Sequence, residues 1–168
     1  GATVIKVEKP EGDDARKWGP PFVDGAAAAF QAINKGKKSV TCHLRSPDDA
    51  ESLRQLVISR ADVVIQNLRP SQMEKLGLGS AALMGAKPSL IFCNMGAFGA
   101  TGPLAQRPGY DPLMQAFGGI MSVVGQEGQD SVRVGPAIID MGTGMWAVIG
   151  IQSALLQREK TGLGCVVD

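Results

Sequence analysis

The chain has 168 residues, a formal net charge of +1, 44% hydrophobic and 20% charged residues, which suits one ordinary globular domain and excludes wholesale disorder, collagen-like repeats and a coiled coil. Near-neutral charge removes the bulk electrostatic case for a nucleic-acid or membrane-surface partner, and no run approaches the roughly 18 to 20 uninterrupted apolar residues of a membrane span. The three cysteines, Cys42, Cys93 and Cys165, are scattered in or beside apolar runs, which favours reduced thiols of an intracellular protein over a disulfide framework or a zinc site.

Gly1 stands where a complete chain would carry Met, and the sequence enters at once on the β-branched run Val4, Ile5 and Val7. This reads as a piece of a longer chain, beginning with a strand that ends at Glu8. KPEGDDARKWGPPF is a surface loop rich in Pro, Gly and charge, and the Ala-rich stretch 26–29 favours helix. Alternation of Val40, Cys42 and Leu44 predicts a second strand. SPDDAESLRQLVISRAD predicts a helix with Ser46 as N-cap, Pro47 at its first position and early acids. VVIQNL is a third strand, RPSQMEKLGLG a loop into a short helix, and SLIFCNMGAFG a fourth strand running into a glycine turn. Strands alternating with helices over roughly thirty-residue units define an α/β fold: an open, Rossmann-like parallel sheet with flanking helices. In the second half, a helix around Leu113 to Phe117 stops at Gly118-Gly119. DMGTGMWAVIGIQSALLQREKTGLG then forms a long helix that Gly162 terminates. No repeat, linker or internal domain boundary is evident.

Asp140 follows Ala137-Ile138-Ile139 and precedes Met141-Gly142-Thr143-Gly144. The ordinary role of Asp there is helix N-capping; a poorly hydrated carboxylate beside small residues also suits a nucleophile. Tyr110 is the only tyrosine, and Asp111 before Pro112 reads as a helix cap. His43 is the only histidine, and its alternating context places it on a strand. One histidine and dispersed cysteines offer no metal-ligand spacing. Lys9, Lys37, Lys38, Arg45, Arg69 and Lys75 fall mostly at strand ends or in the loops after them, the edge where open α/β sheets bind ligands, so an anionic small molecule is implied. No phosphate-binding loop or dinucleotide fingerprint is present.

Six segments in register, GATVIKVEKPEGDDARKWGPPF, NKGKKSV, ADVVIQNLRPSQMEKLGLG, LIFCNMGAFGATGPLAQRPGYD, GGIMSVVG and DMGTGMWAVIGIQSALLQREKTGLG, resemble the family III CoA-transferases, relatives of the α-methylacyl-CoA racemases. The resemblance implies that residues 1–168 are the large CoA-binding domain without its first strand and helix and its C-terminal part. It implies transfer of CoA from an acyl-CoA to a carboxylic acid, with Asp140 as the nucleophile, backbone N–H groups near Gly142 to Gly144 as an oxyanion hole, CoA as substrate and no prosthetic group. CoA would contact Lys9, Cys42, Arg45, Asn67, Leu68, Gln72, Lys75 and Leu76, with Arg107 and Tyr110 near the acyl end. The implied partner is a second copy in an interlocked homodimer, and the implied location is cytoplasmic, or the mitochondrial matrix or a peroxisome in a eukaryote. Racemase relatives carry a histidine where Tyr110 stands; a phenol with a reference pKa near 10 is a poor partner for proton removal at neutral pH, which favours transfer. A CoA-binding piece without turnover is the non-enzymatic alternative.

Overall fold

A computed structural model describes residues 1–69 and 71–168 of the chain. Pro70, within the loop expected there, lies outside the described residues. The chain falls into two compact units, Gly1–Leu53 and Arg54–Asp168, where the sequence pattern marked no boundary; the division falls inside a continuous helix.

In the first unit, β1 (Ile5–Glu8) pairs in parallel with β4 (Lys38–Thr41), Ile5 opposite Lys38 and Glu8 opposite Thr41. Between them, β2 (Phe22–Val23) and β3 (Ala26–Ala27) form a short antiparallel hairpin, and α1 (Ala28–Ile33) follows. The Ala-rich stretch is thus split: Ala26 and Ala27 pair as strand, and helix begins only at Ala28. Ala26, Ala27 and Phe30 form a small core with Ala15 packed against it. The second strand ends earlier than the alternation predicts, leaving Cys42, His43 and Leu44 beyond it. Helix α2 (Pro47–Arg60) starts where the sequence places it, with the Ser46 hydroxyl 3.4 Å from the Asp49 N–H.

The second unit holds a parallel sheet of β5 (Val63–Gln66), β6 (Ile91–Asn94) and β7 (Val166–Val167), with β6 in the middle. Parallel strands covered on both faces read as continuous apolar runs, and Leu90, Ile91, Phe92 and Cys93 are accordingly buried. Helices α3 (Gln72–Lys75) and α4 (Ser80–Ala86) connect β5 to β6; α5 (Asp111–Phe117) and α6 (Ile138–Thr161) precede β7. Leu78 and Leu83, from the β5–β6 connection, are buried in this unit. The pattern of strands and helices is the α/β class expected, with parallel pairing in both units.

Helix α6 is long and apolar enough to cross a membrane by length and composition alone, yet it lies against β6 and β7. A Cβ on Gly150 would stand 2.7 Å from Val167 Cγ1, and one on Gly164, just past the helix, 1.9 Å from the Leu90 carbonyl oxygen. Glycine therefore sets how closely α6 approaches β7 at Gly150, and how closely the chain entering β7 approaches the backbone ahead of β6 at Gly164. Arg158, near the C-terminus of α6, pairs with Asp62 at 3.2 Å and donates to the Ser89 carbonyl at 3.1 Å.

Candidate active site

Glu8 ends β1 with a buried side chain. It accepts from Arg16 Nε and Nη2, the Asp13 N–H and the Ser39 hydroxyl, all at 2.9 Å. Arg16 and these other donors hold its pKa down at about 2 against the opposing effect of burial. The guanidinium also stacks 4.3 Å from the Phe30 ring centre, and Lys6 binds Asp13. The loop after β1 is thereby fixed on both sides of Lys9, whose exposed ammonium pairs with Asp14 at 2.7 Å. That hydrogen bond raises the Lys9 pKa.

Because β1 and β4 are parallel neighbours, Lys9 and the turn holding Arg45 leave the same edge of this unit. Arg45 is exposed. Cys42 is turned inward: it is buried, its N–H donates to the Glu8 carbonyl at 2.8 Å, and its Sγ lies 3.7 Å from the Asp49 carbonyl. Burial, then the Asp49 charge, pushes its thiol up. The side chain therefore packs beneath the edge, with its thiol turned toward α2. His43 is exposed beyond the strand, its N–H bonded to Asp49 Oδ2 at 2.7 Å.

At the corresponding edge of the second unit, Gln66 bridges two strand ends. Its Nε2 donates to Asn94 Oδ1 at 2.6 Å and its Oε1 accepts from the Leu68 N–H at 2.8 Å. This anchors the exposed Asn67 and half-buried Leu68. In α3 the spacing of Gln72, Lys75 and Leu76 at i, i+3 and i+4 gathers them on one side of a single turn, Gln72 and Lys75 exposed and Leu76 half-buried. Arg107 and Tyr110 are exposed in the approach to α5.

Asp140 is the third residue of α6, so the helix begins two residues before the position expected and Asp140 is not its cap. Ala137 stands at the cap without a side chain to bond. The capping carboxylate comes from α5: buried Asp111 accepts through Oδ2 from the N–H groups of Ile139 at 2.8 Å and Asp140 at 3.2 Å. Its Oδ1 accepts from Gln115 Nε2 at 2.5 Å, and Gln115 Oε1 accepts from the Val134 N–H at 2.8 Å. Asp111 thus caps a different helix from the one it begins. Burial works against its charge, but these donors and Arg133 prevail and lower its pKa. The Asp140 side chain is exposed enough to react, while partial desolvation and then the Asp111 charge raise its pKa.

Gly142 to Gly144 lie inside α6. Their N–H groups face the carbonyls four residues earlier in the helical ladder, so they do not form the oxyanion hole expected from their sequence position. One and two turns beyond Asp140, Thr143 and Trp146 line a cavity of about 170 Å³ with Asn94 and Gly96 from the exit of β6 and Asp168 after β7. Two polar bridges escaped the sequence reading, Gln66–Asn94 and Asp111–Gln115; the signal was an amide inside an otherwise apolar strand or helix, in VVIQ, IFCN and LMQAF.

Exposed cations thus follow strand ends in each unit, and an exposed carboxylate stands in the first turn of the long helix of the second. The model of "CoA-transferase family III" matches residues 1–168, and the chain belongs to that family. It is 39% identical over 169 residues to a mouse protein named succinyl-CoA:glutarate CoA-transferase, covering all of this chain and 38% of the relative. It is 42% identical to the succinate–glutarate CoA-transferase of Agrobacterium fabrum, covering all of this chain and 44% of the relative. Among solved structures, a CAIB/BAIF family protein from Brucella suis superposes with a TM-score of 0.95 at 47% identity, over all of this chain and 45% of that one. The chain therefore spans less than half the length of these relatives.

Proposed function

We propose that this chain is the nucleophile-bearing part of a CoA-transferase that moves CoA from an acyl-CoA to a carboxylic acid. The observation that carries the reading is the placement of Asp140: an exposed carboxylate on a rigid helix start, whose first-turn N–H groups are already occupied by Asp111. A carboxylate oxygen of Asp140 attacks the thioester carbonyl, the C–S bond breaks, and an acyl-aspartyl anhydride forms with release of CoA thiolate. The thiolate attacks the aspartyl carbonyl, freeing the donor acid and leaving an aspartyl-CoA thioester. The acceptor carboxylate then attacks that thioester; the thiolate released takes the acceptor acyl group from the resulting anhydride and restores Asp140. One hard exchange is divided into substitutions at activated carbonyls.

The exposed cations Lys9, Arg45 and Lys75 suit the phosphates of CoA, and Leu68 and Leu76 offer apolar contact. Names of the relatives make succinyl-CoA and glutarate the first donor and acceptor to try. Tyr110, 70% exposed, supplies no base for racemisation. The apolar side of α6 with Met141, Met145 and Trp146, each more than 60% exposed, supports association of the full-length protein as a homodimer; sedimentation at micromolar concentration checks this, and a monomer contradicts it. For the reaction, Asp140→Asn and Asp140→Ala in the full-length protein lose about three orders of magnitude or more in transfer rate with the fold retained. Turnover near the unmodified rate in either variant contradicts the mechanism.

A further inference from the structure

Asp111 is buried, yet among the described residues its hydrogen-bond partners are all uncharged groups. One oxygen reaches out to α6; the other accepts from Gln115 one turn along α5, which is itself fully buried and tied to Val134 on the segment leading into α6. Gln115 Nε2 also lies 3.4 Å from the Val134 carbonyl. Two side chains one helical turn apart on α5 thus hold both the approach to α6 and its first turn.

We propose that Asp111, braced by Gln115, is the positioning residue of the transfer reaction, fixing the Asp140 carboxylate through the main chain of Ile139 and Asp140. The inference rests on the reading of Asp140 as nucleophile. Two physical effects follow. The first is geometric: a helix whose N-terminal N–H groups are satisfied frays less, and displacement of a reacting group by about 1 Å can cost about 100-fold in rate. The second is electrostatic. Free first-turn N–H groups would hydrogen-bond and stabilise the Asp140 carboxylate, weakening it as a nucleophile; Asp111 occupies them and adds a like charge nearby. This agrees with the upward direction of the Asp140 pKa and its cause. The charged groups acting here are Asp111 from α5 and Arg133 from the preceding segment; Cys93 and Asp168 face α6 one turn further on, at the cavity beside Thr143.

The test uses the full-length protein, with CoA affinity and near-ultraviolet circular dichroism as readouts of the fold and the pH dependence of kcat as the readout of Asp140. Asp111→Asn removes the charge and forces one donor-donor clash with Gln115 or Val134. It is expected to lower kcat by about 100-fold, to leave CoA affinity within about threefold, and to move the acid limb of the profile to lower pH because the like charge is gone. Asp111→Asn combined with Gln115→Glu restores the bond between these two side chains with donor and acceptor exchanged, keeps those from the Ile139, Asp140 and Val134 N–H groups, and gives up only the 3.4 Å bond to the Val134 carbonyl; it is expected to return kcat to within about tenfold of the unmodified enzyme. An Asp111→Asn enzyme with unchanged kcat and an unmoved acid limb overturns the proposal, as does a loss of kcat matched by equal loss of CoA affinity, or a double variant no better than the single one. If Asp140→Asn itself retains turnover, the nucleophile assignment has failed instead.

Discussion

Two buried carboxylates organise functional backbone in this molecule, one in each unit, and they do so by different electrostatics. Glu8 is gripped by a guanidinium, a hydroxyl and an N–H, so its charge is largely neutralised where it sits. Asp111 is held by main-chain N–H groups and a carboxamide, with Arg133 acting only through its field. Neutral dipoles stabilise a charge without cancelling it. The first arrangement therefore builds a stiff loop carrying Lys9, while the second leaves a negative field that reaches Asp140. Under the proposed function, presenting a cation and sharpening a carboxylate call for these opposite choices.

The comparison is broken most strongly at Glu8. Glu8→Gln leaves Arg16 without its anion and is expected to destabilise the full-length protein by about 2 to 3 kcal/mol at neutral pH, read from the denaturant midpoint. The folded pKa is depressed from 4.5 to about 2. The extra stability from Glu8 is therefore complete above its unfolded value and is lost as pH falls through that interval. The gap between unmodified and Glu8→Gln protein should close as the pH is lowered from 5 to about 2; a constant gap means that Arg16 is not the source.

A smaller effect belongs to the exposed cations. Lys9→Ala, Arg45→Ala and Lys75→Ala are each expected to weaken CoA binding about tenfold by calorimetry, and less for a CoA analogue lacking the 3′-phosphate at whichever residue meets that group. Unchanged affinity in all three assigns them to ordinary solvated surface. Smaller still is Cys42→Ser: with its thiol turned inward, CoA affinity should stay within about twofold. A larger loss would show that the side chain reaches the ligand after all.

The elements most legible in the sequence were those whose causes are local. The run Leu90 to Cys93 reads as a buried parallel strand because burial on both faces demands continuous apolar residues, and α2 reads from Ser46, Pro47 and its early acids. The start of α6 was not legible in the same way. Its cap is Asp111, 29 residues before Asp140, and no local pattern records a partner that distant; Ile138 and Ile139 look equally well like the end of a strand. The alternation through Cys42 and Leu44 misled for a related reason, since Asp49 draws the chain into a turn by bonding the His43 N–H. At the site, Lys9, Arg45 and Lys75 are exposed where the sequence places loops and a short helix, whereas Cys42 is buried and the N–H groups of Gly142 to Gly144 are taken up in the helical ladder.

The central claim is that Asp140 bonds covalently to the groups being exchanged, and intact mass spectrometry of the full-length protein mixed with succinyl-CoA, followed by peptide mapping, tests it most directly. The account predicts an added mass corresponding to CoA or the acyl group on the peptide containing Asp140, absent from Asp140→Asn and discharged by glutarate or another competent acceptor. Transfer of CoA with no adduct under rapid quenching, or an adduct on a different residue, would contradict it.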